Sequence, residues 1–114
     1  MMTKEQKYQQ FRQRMSYHAA VAKVAINNSD QAGATEAFNV SAGHGLEAIQ
    51  FADQNNLPVE NLFLLNFCNI RINAGLLDGT DEFIDRGIKG SHGDEELQRE
   101  FINTQETFSA MMVQ

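Results

Sequence analysis

The sequence contains no tryptophan, one proline and one cysteine among its 114 residues, and each scarcity excludes something. A lone thiol cannot build an internal disulfide framework, so the fold rests on its apolar core. A single proline leaves long stretches free to be helical. Runs of β-branched residues and apolar/polar alternation are also missing, which removes the usual signature of strands. No apolar run approaches the roughly 20 residues that span a bilayer, the longest being Leu62 to Leu65. The opening KEQKYQQFRQR is too polar for a signal peptide, so the expected location is cytoplasmic.

What is present is a hydrophobic content of 42%, enough for one domain of this length to bury about two thirds of its unfolded surface. The reading is an all-α fold: a single helical domain over 1–114, a compact bundle of about five antiparallel helices around a central helix at 58–77. That central stretch, PVENLFLLNFCNIRINAGLL, is apolar around most of its circumference. Leu62, Leu65, Ile72 and Leu76 form one stripe and Phe63, Phe67, Ile70 and Leu77 a second, so both faces should be covered. Pro58 suits a first helical position, where its missing N–H costs nothing.

Around it, Thr3 followed by Gln6 is a capping-box pattern that opens a first helix. Tyr8, Phe11, Met15, His18, Ala22 and Ala25 then recur three and four apart, the spacing of a seam that faces another helix. Asn27, Asn28, Ser29 and Asp30 end it, because such side chains compete for backbone hydrogen bonds. A second helix from Asp30 to about Asn55 has Ser29 or Asp30 as N-cap and carries Phe38, Ala42, Leu46, Ile49 and Ala52 on one stripe. Its Gly43-His44-Gly45 segment predicts either a bend or a close approach of another backbone.

Asp78-Gly79 reads as a turn, and Thr80, Asp81 and Glu82 start a short fourth helix whose apolar side is Phe83, Ile84 and Ile88. After a loop at Ser91-His92-Gly93, Asp94, Glu95 and Glu96 begin the last helix. Leu97, Phe101, Thr104, Phe108 and Met111 repeat the three-four seam. Connections at about 29–30, 55–57, 78–80 and 90–93 are short enough to make neighbouring helices antiparallel.

The net charge of −6 is unevenly spread: Lys4, Lys7, Arg12, Arg14 and Lys23 against Glu5 give the first 23 residues +4, leaving −10 on the rest. A basic first helix lying against acidic neighbours accounts for this within one fold; an acidic surface shown to a basic partner is the functional alternative. Nucleic acid is not an expected partner, because the remainder of the chain would repel phosphate, and neither is a membrane.

Catalytic signals are weak. His44 with Glu47, and His92 before Asp94, Glu95 and Glu96, are the only pairs with metal-ligand chemistry. Neither has the residue set of a structural zinc or di-iron site, so no metal and no cofactor is expected. Cys68, among apolar neighbours, reads as a small core residue. The expected function is that of a small acidic protein-binding module of adaptor, chaperone, immunity or inhibitor type, without catalytic activity. Its candidate surfaces are the amide stripe Asn66, Asn69 and Asn73 and the acidic side near Asp78, Asp81, Glu82 and Asp85. Two alternatives stand beside it: an enzyme or small-molecule binder with a pocket near His44, Glu47 and Cys68, and an acidic nucleic-acid mimic. Phe11, Met15, Phe101, Phe108 and Met111 exceed what a short central helix needs as cover, which suggests a homodimer.

Overall fold

The computed structural model describes residues 1–113, and among them every regular element is helical: α1 (Lys4–Asn27), α2 (Gln31–Gln54), α3 (Asn61–Asn73), α4 (Thr80–Gly90) and α5 (Glu95–Met112). The all-α, five-helix expectation holds. The chain divides into two compact units, Met1–Val59 and Glu60–Gln114.

In the first unit, α1 opens with the anticipated capping box. The Gln6 amide donates to the Thr3 hydroxyl (3.1 Å) and the Thr3 amide donates to the Gln6 side-chain carbonyl (2.8 Å). α2 is capped by Asp30, whose carboxylate accepts the Gly33 N–H at 2.9 Å. A Cβ at 33 would meet that exposed carboxylate, which would have to shift. The seam of α1 faces α2 as expected, with Tyr8, Met15 and Ala22 buried and Phe11, His18 and Ala25 half-buried. Phe11 meets Phe51 (ring centroids 5.8 Å) and His18 stacks on His44 (5.2 Å), so the two helices run antiparallel. The buried Ser41 hydroxyl donates to the Met15 carbonyl at 2.6 Å. α2 passes through Gly43-His44-Gly45 as continuous helix. Gly43 is exposed, with open space where a Cβ would stand.

The second unit is an up-down-up arrangement of α3, α4 and α5, each packed on the other two. Phe67 meets Phe83 edge to face (5.0 Å) across α3 and α4. Between α4 and α5, Gly87 lies directly under the Phe101 ring, and any Cβ at 87 would overlap that ring. α3 is shorter than the expected 58–77. Pro58 lies outside the helix, since Glu60 is still extended and serves as N-cap. Asn61 points its side-chain amide at the Gly90 carbonyl (2.8 Å), tying the start of α3 to the end of α4.

At the other end, Gly75 takes a left-handed conformation (φ 75°). The Leu76 amide donates to the Arg71 carbonyl (2.9 Å) and the Gly75 amide to the Ile72 carbonyl (3.0 Å), which is the Schellman pattern of a helix stop. Ser29 (φ 60°) and Asn56 (φ 57°) hold the corresponding left-handed positions after α1 and α2. At those two ends, Asp30 N–H and Leu57 N–H reach back to Ala25 and Ala52, each bond 2.8 Å long.

α3 is apolar nearly all round, and only Leu62, Asn66, Asn69 and Asn73 are exposed along it. Leu62 therefore departs from the stripe assigned to it: it is 61% exposed, while Leu65 and Ile72 are buried. Residues 62, 66, 69 and 73 are four, three and four apart, so Leu62 begins the amide line rather than sharing the core face.

Candidate interaction surface

The amide stripe lies beside a groove in the second unit. Leu62 and Leu65 from α3 and Leu97 from α5 are its apolar lining, Asp94, Glu96 and Glu100 its acidic lining, and its volume is about 270 Å³. The acidic wall is fixed by local chemistry. Asp94 caps α5 by accepting the Leu97 N–H (3.1 Å), and its own N–H donates to the Ser91 carbonyl (3.0 Å). Gln98 fastens the same first turn to α4, donating to the Ile88 carbonyl at 3.1 Å. Farther along, the Thr104 hydroxyl lies within hydrogen-bond distance of two acceptors, Asn69 Oδ1 (3.1 Å) and the Glu100 carbonyl (3.0 Å). Asn69 thus joins the amide line of α3 to the acidic edge of α5. Asp94, Glu96 and Glu100 have no cationic partner among the described residues. Three uncompensated carboxylates beside apolar side chains give the groove a negative field over a greasy floor.

The other acidic candidates are differently employed. Asp81 and Glu82 occupy the first turn of α4, where the unsatisfied N–H groups of the helix favour negative charge. Asp85 pairs with Lys89 at 2.9 Å, one turn along the same helix. Asp78 is exposed, and its carbonyl accepts from the Arg71 guanidinium at 2.8 Å. Asn66 and Asn73 are exposed.

Arg71 went unremarked in the sequence and is a hub here. Its Nε donates to the Thr80 hydroxyl (2.7 Å), which in turn donates to the Leu76 carbonyl (2.6 Å). The guanidinium also lies over Phe67 (5.7 Å) and Phe83 (6.0 Å). The only signal in the sequence was an arginine in the last turn of an apolar helix, a position where cations complement the helix end.

Of the residues with catalytic or metal-binding chemistry, His44 and Glu47 belong to the first unit and Cys68 and His92 to the second. His44 and Glu47 lie on α2, with Nδ1 and Oε1 3.6 Å apart, and His44 is stacked on His18. Cys68 lies in the core of α3, fully buried. Desolvation pushes its thiol up to about 12, only partly offset by the charge of Arg71, so the sulfur stays protonated at neutral pH. His92 is exposed in the loop before α5. Among the described residues, no three His, Cys, Asp or Glu side chains converge to hold a metal.

The five residues assigned to self-association are turned inward to differing degrees. Met15, Phe101 and Phe108 are buried, and Phe11 and Met111 are half-buried. Their seams cover the interior of the chain itself. The exposed large apolar side chains are others, among them Tyr17, Val21 and Val24 on α1 and Leu62 and Ile102 in the second unit. No helix among the described residues is long and apolar enough to cross a membrane. No protein-family model, no curated protein and no solved structure matches the chain.

Proposed function

We propose that this chain is a non-catalytic, cytoplasmic protein-binding module whose second unit captures a basic amphipathic segment of another protein. The observation that supports it is the groove of Leu62, Leu65 and Leu97 edged by Asp94, Glu96 and Glu100. A floor of three leucines accepts one or two apolar side chains, and the free carboxylates meet lysine or arginine on either side of them. The exposed amides of Asn66 and Asn73 extend the surface with groups that both donate and accept. A volume of about 270 Å³ falls below the range typical of small-molecule pockets, which favours a side-chain anchor over a cofactor.

The test is fluorescence anisotropy with a labelled synthetic helical peptide that carries leucine anchors flanked by arginine. Binding should weaken as salt is added, and the double substitution Glu96→Lys with Glu100→Lys should reduce affinity by at least about tenfold. Equal binding by the charge-reversed protein would refute the assignment.

A further inference from the structure

The first unit carries a second surface of opposite character. α1 uses one side against α2, through Tyr8, Met15 and Ala22. On its other side Gln6, Gln10, Gln13, Tyr17, Ala20 and Val24 alternate four and three apart over five turns. All are exposed except the half-buried Gln10. That alternation puts them in one line along the helix, glutamine over its first half and apolar over its second. Tyr17 is 65% exposed and Val24 58%, and Val21 adds apolar surface next to them at 41%. Toward the N-terminus the same face becomes a shallow, open depression lined by Met2, Glu5, Gln6, Gln9, Gln10 and Gln13.

Charge says what covers this face. The positions flanking that line, which choose the partner in a coiled coil, hold Lys7 and Arg14 on one edge and Lys23 on the other. None of these three has a carboxylate partner among the described residues; Lys7 and Arg14 instead rest over the Phe51 and Phe11 rings. We infer that the outward face of α1 is a docking site for an acidic amphipathic helix of another protein, paired along the Gln6-to-Val24 seam. The chain then has two surfaces of opposite sign on separate units, the arrangement of a bridging adaptor. An acidic amphipathic helix fits better than a phosphate backbone because the exposed Tyr17, Val21 and Val24 offer apolar contact while Lys7, Arg14 and Lys23 stand on the edges beside it. The cations stand beside the apolar half and the glutamines in separate registers, rather than in one continuous basic patch.

The experiment titrates the full chain against a labelled synthetic peptide of three heptads with leucine at the seam and glutamate at the flanking positions. A twin peptide with lysine at the flanks serves as comparison. Binding of the glutamate peptide is expected, weakened about tenfold by Lys7→Glu with Arg14→Glu and by added salt, whereas the lysine peptide, which the acidic groove of the second unit can take, should not be weakened by those two substitutions. Tyr17→Ser with Val24→Ser should abolish it, while far-UV circular dichroism stays that of the parent because both side chains are exposed. Glu96→Lys with Glu100→Lys should leave it unchanged, which separates this site from the groove of the second unit. The inference is overturned if the glutamate peptide does not bind, or if the α1 substitutions have no effect on its binding. It is also overturned if phosphatidylserine vesicles or duplex DNA displace the peptide at lower concentration. Light scattering that shows a dimer lost in the Lys7→Glu/Arg14→Glu protein would assign the face to a second copy of this chain instead.

Discussion

Two glycines show how differently the same residue acts at two positions in a helix. Gly87 sits under the Phe101 ring, and a methyl group there would displace a fully buried aromatic. Gly43 has nothing within reach of a Cβ and contributes only backbone freedom to the unfolded chain. Opposite outcomes follow for the same substitution. Gly43→Ala should raise unfolding free energy by about 0.5–1 kcal/mol, the ordinary helix-interior difference. Gly87→Ala should lower it by about 1–3 kcal/mol, the cost of overpacking a filled core. Urea unfolding of the two variants beside the parent measures both, and a loss of stability in Gly43→Ala would contradict the open space seen at that position.

At the scale of elements, the turn between α3 and α4 is held by a charge as well as by its own Ala74, Leu76 and Leu77. Arg71 bonds the Thr80 hydroxyl and the Asp78 carbonyl while stacking near Phe67 and Phe83. Thr80 is fully buried, so removing the guanidinium leaves its oxygen with the Leu76 carbonyl alone. Arg71→Ala should therefore destabilise the protein by about 2 kcal/mol, in the range for a hydrogen bond to a charged group with a buried partner. Arg71→Lys should recover only part of this, since an ammonium cannot reproduce the planar fork that reaches both oxygens. Thermal unfolding followed at 222 nm distinguishes the two; a lysine variant as stable as the parent would reduce the role of Arg71 to bare charge.

At the scale of the whole molecule, charge is segregated by unit. Residues 1–59 hold five basic and five acidic side chains, whereas 60–114 hold four basic and ten acidic, so the entire −6 belongs to the second unit. Within the first unit, the positive charge of α1 is matched in number by acids on and before α2, Asp30, Glu36, Glu47 and Asp53. Ten carboxylates on a three-helix unit repel one another, and salt screens that repulsion beyond about 10 Å at 0.1 M ionic strength. The melting temperature should consequently rise by a few degrees between low salt and about 0.5 M sodium chloride. A fall over the same range would mean that attractive pairs outweigh the repulsion. The same screening weakens the two proposed binding events, so stability and affinity should move in opposite directions as salt is added.

The sequence by itself determined where helices begin and end wherever the signal is local. Thr3 with Gln6, Asp30 and Asp94 cap helices because a side-chain oxygen reaches an N–H two or three residues ahead, which needs no distant partner. The inward seams of α1 and α5 were legible for a similar reason: three-four spacing places residues on one side of a helix whatever lies opposite. The stop at Gly75 was local too, and was passed over because the apolar run continues through Leu76 and Leu77. The line Asn66, Asn69 and Asn73 of α3 was legible as the side facing water, because amides are polar; tertiary structure decided that Leu62 continues that line. On a helix that is apolar almost all round, Leu62 and Leu65 are equivalent by composition, and only the packing of the unit leaves Leu62 exposed and Leu65 buried, though both line the groove. The hub at Arg71, the ring over Gly87 and the meeting of Asn69 with Thr104 likewise join residues 9, 14 and 35 positions apart, and the groove draws its walls from two helices. Periodicity records that a side chain lies on a given side of its helix; what stands across from that side is set by packing between elements.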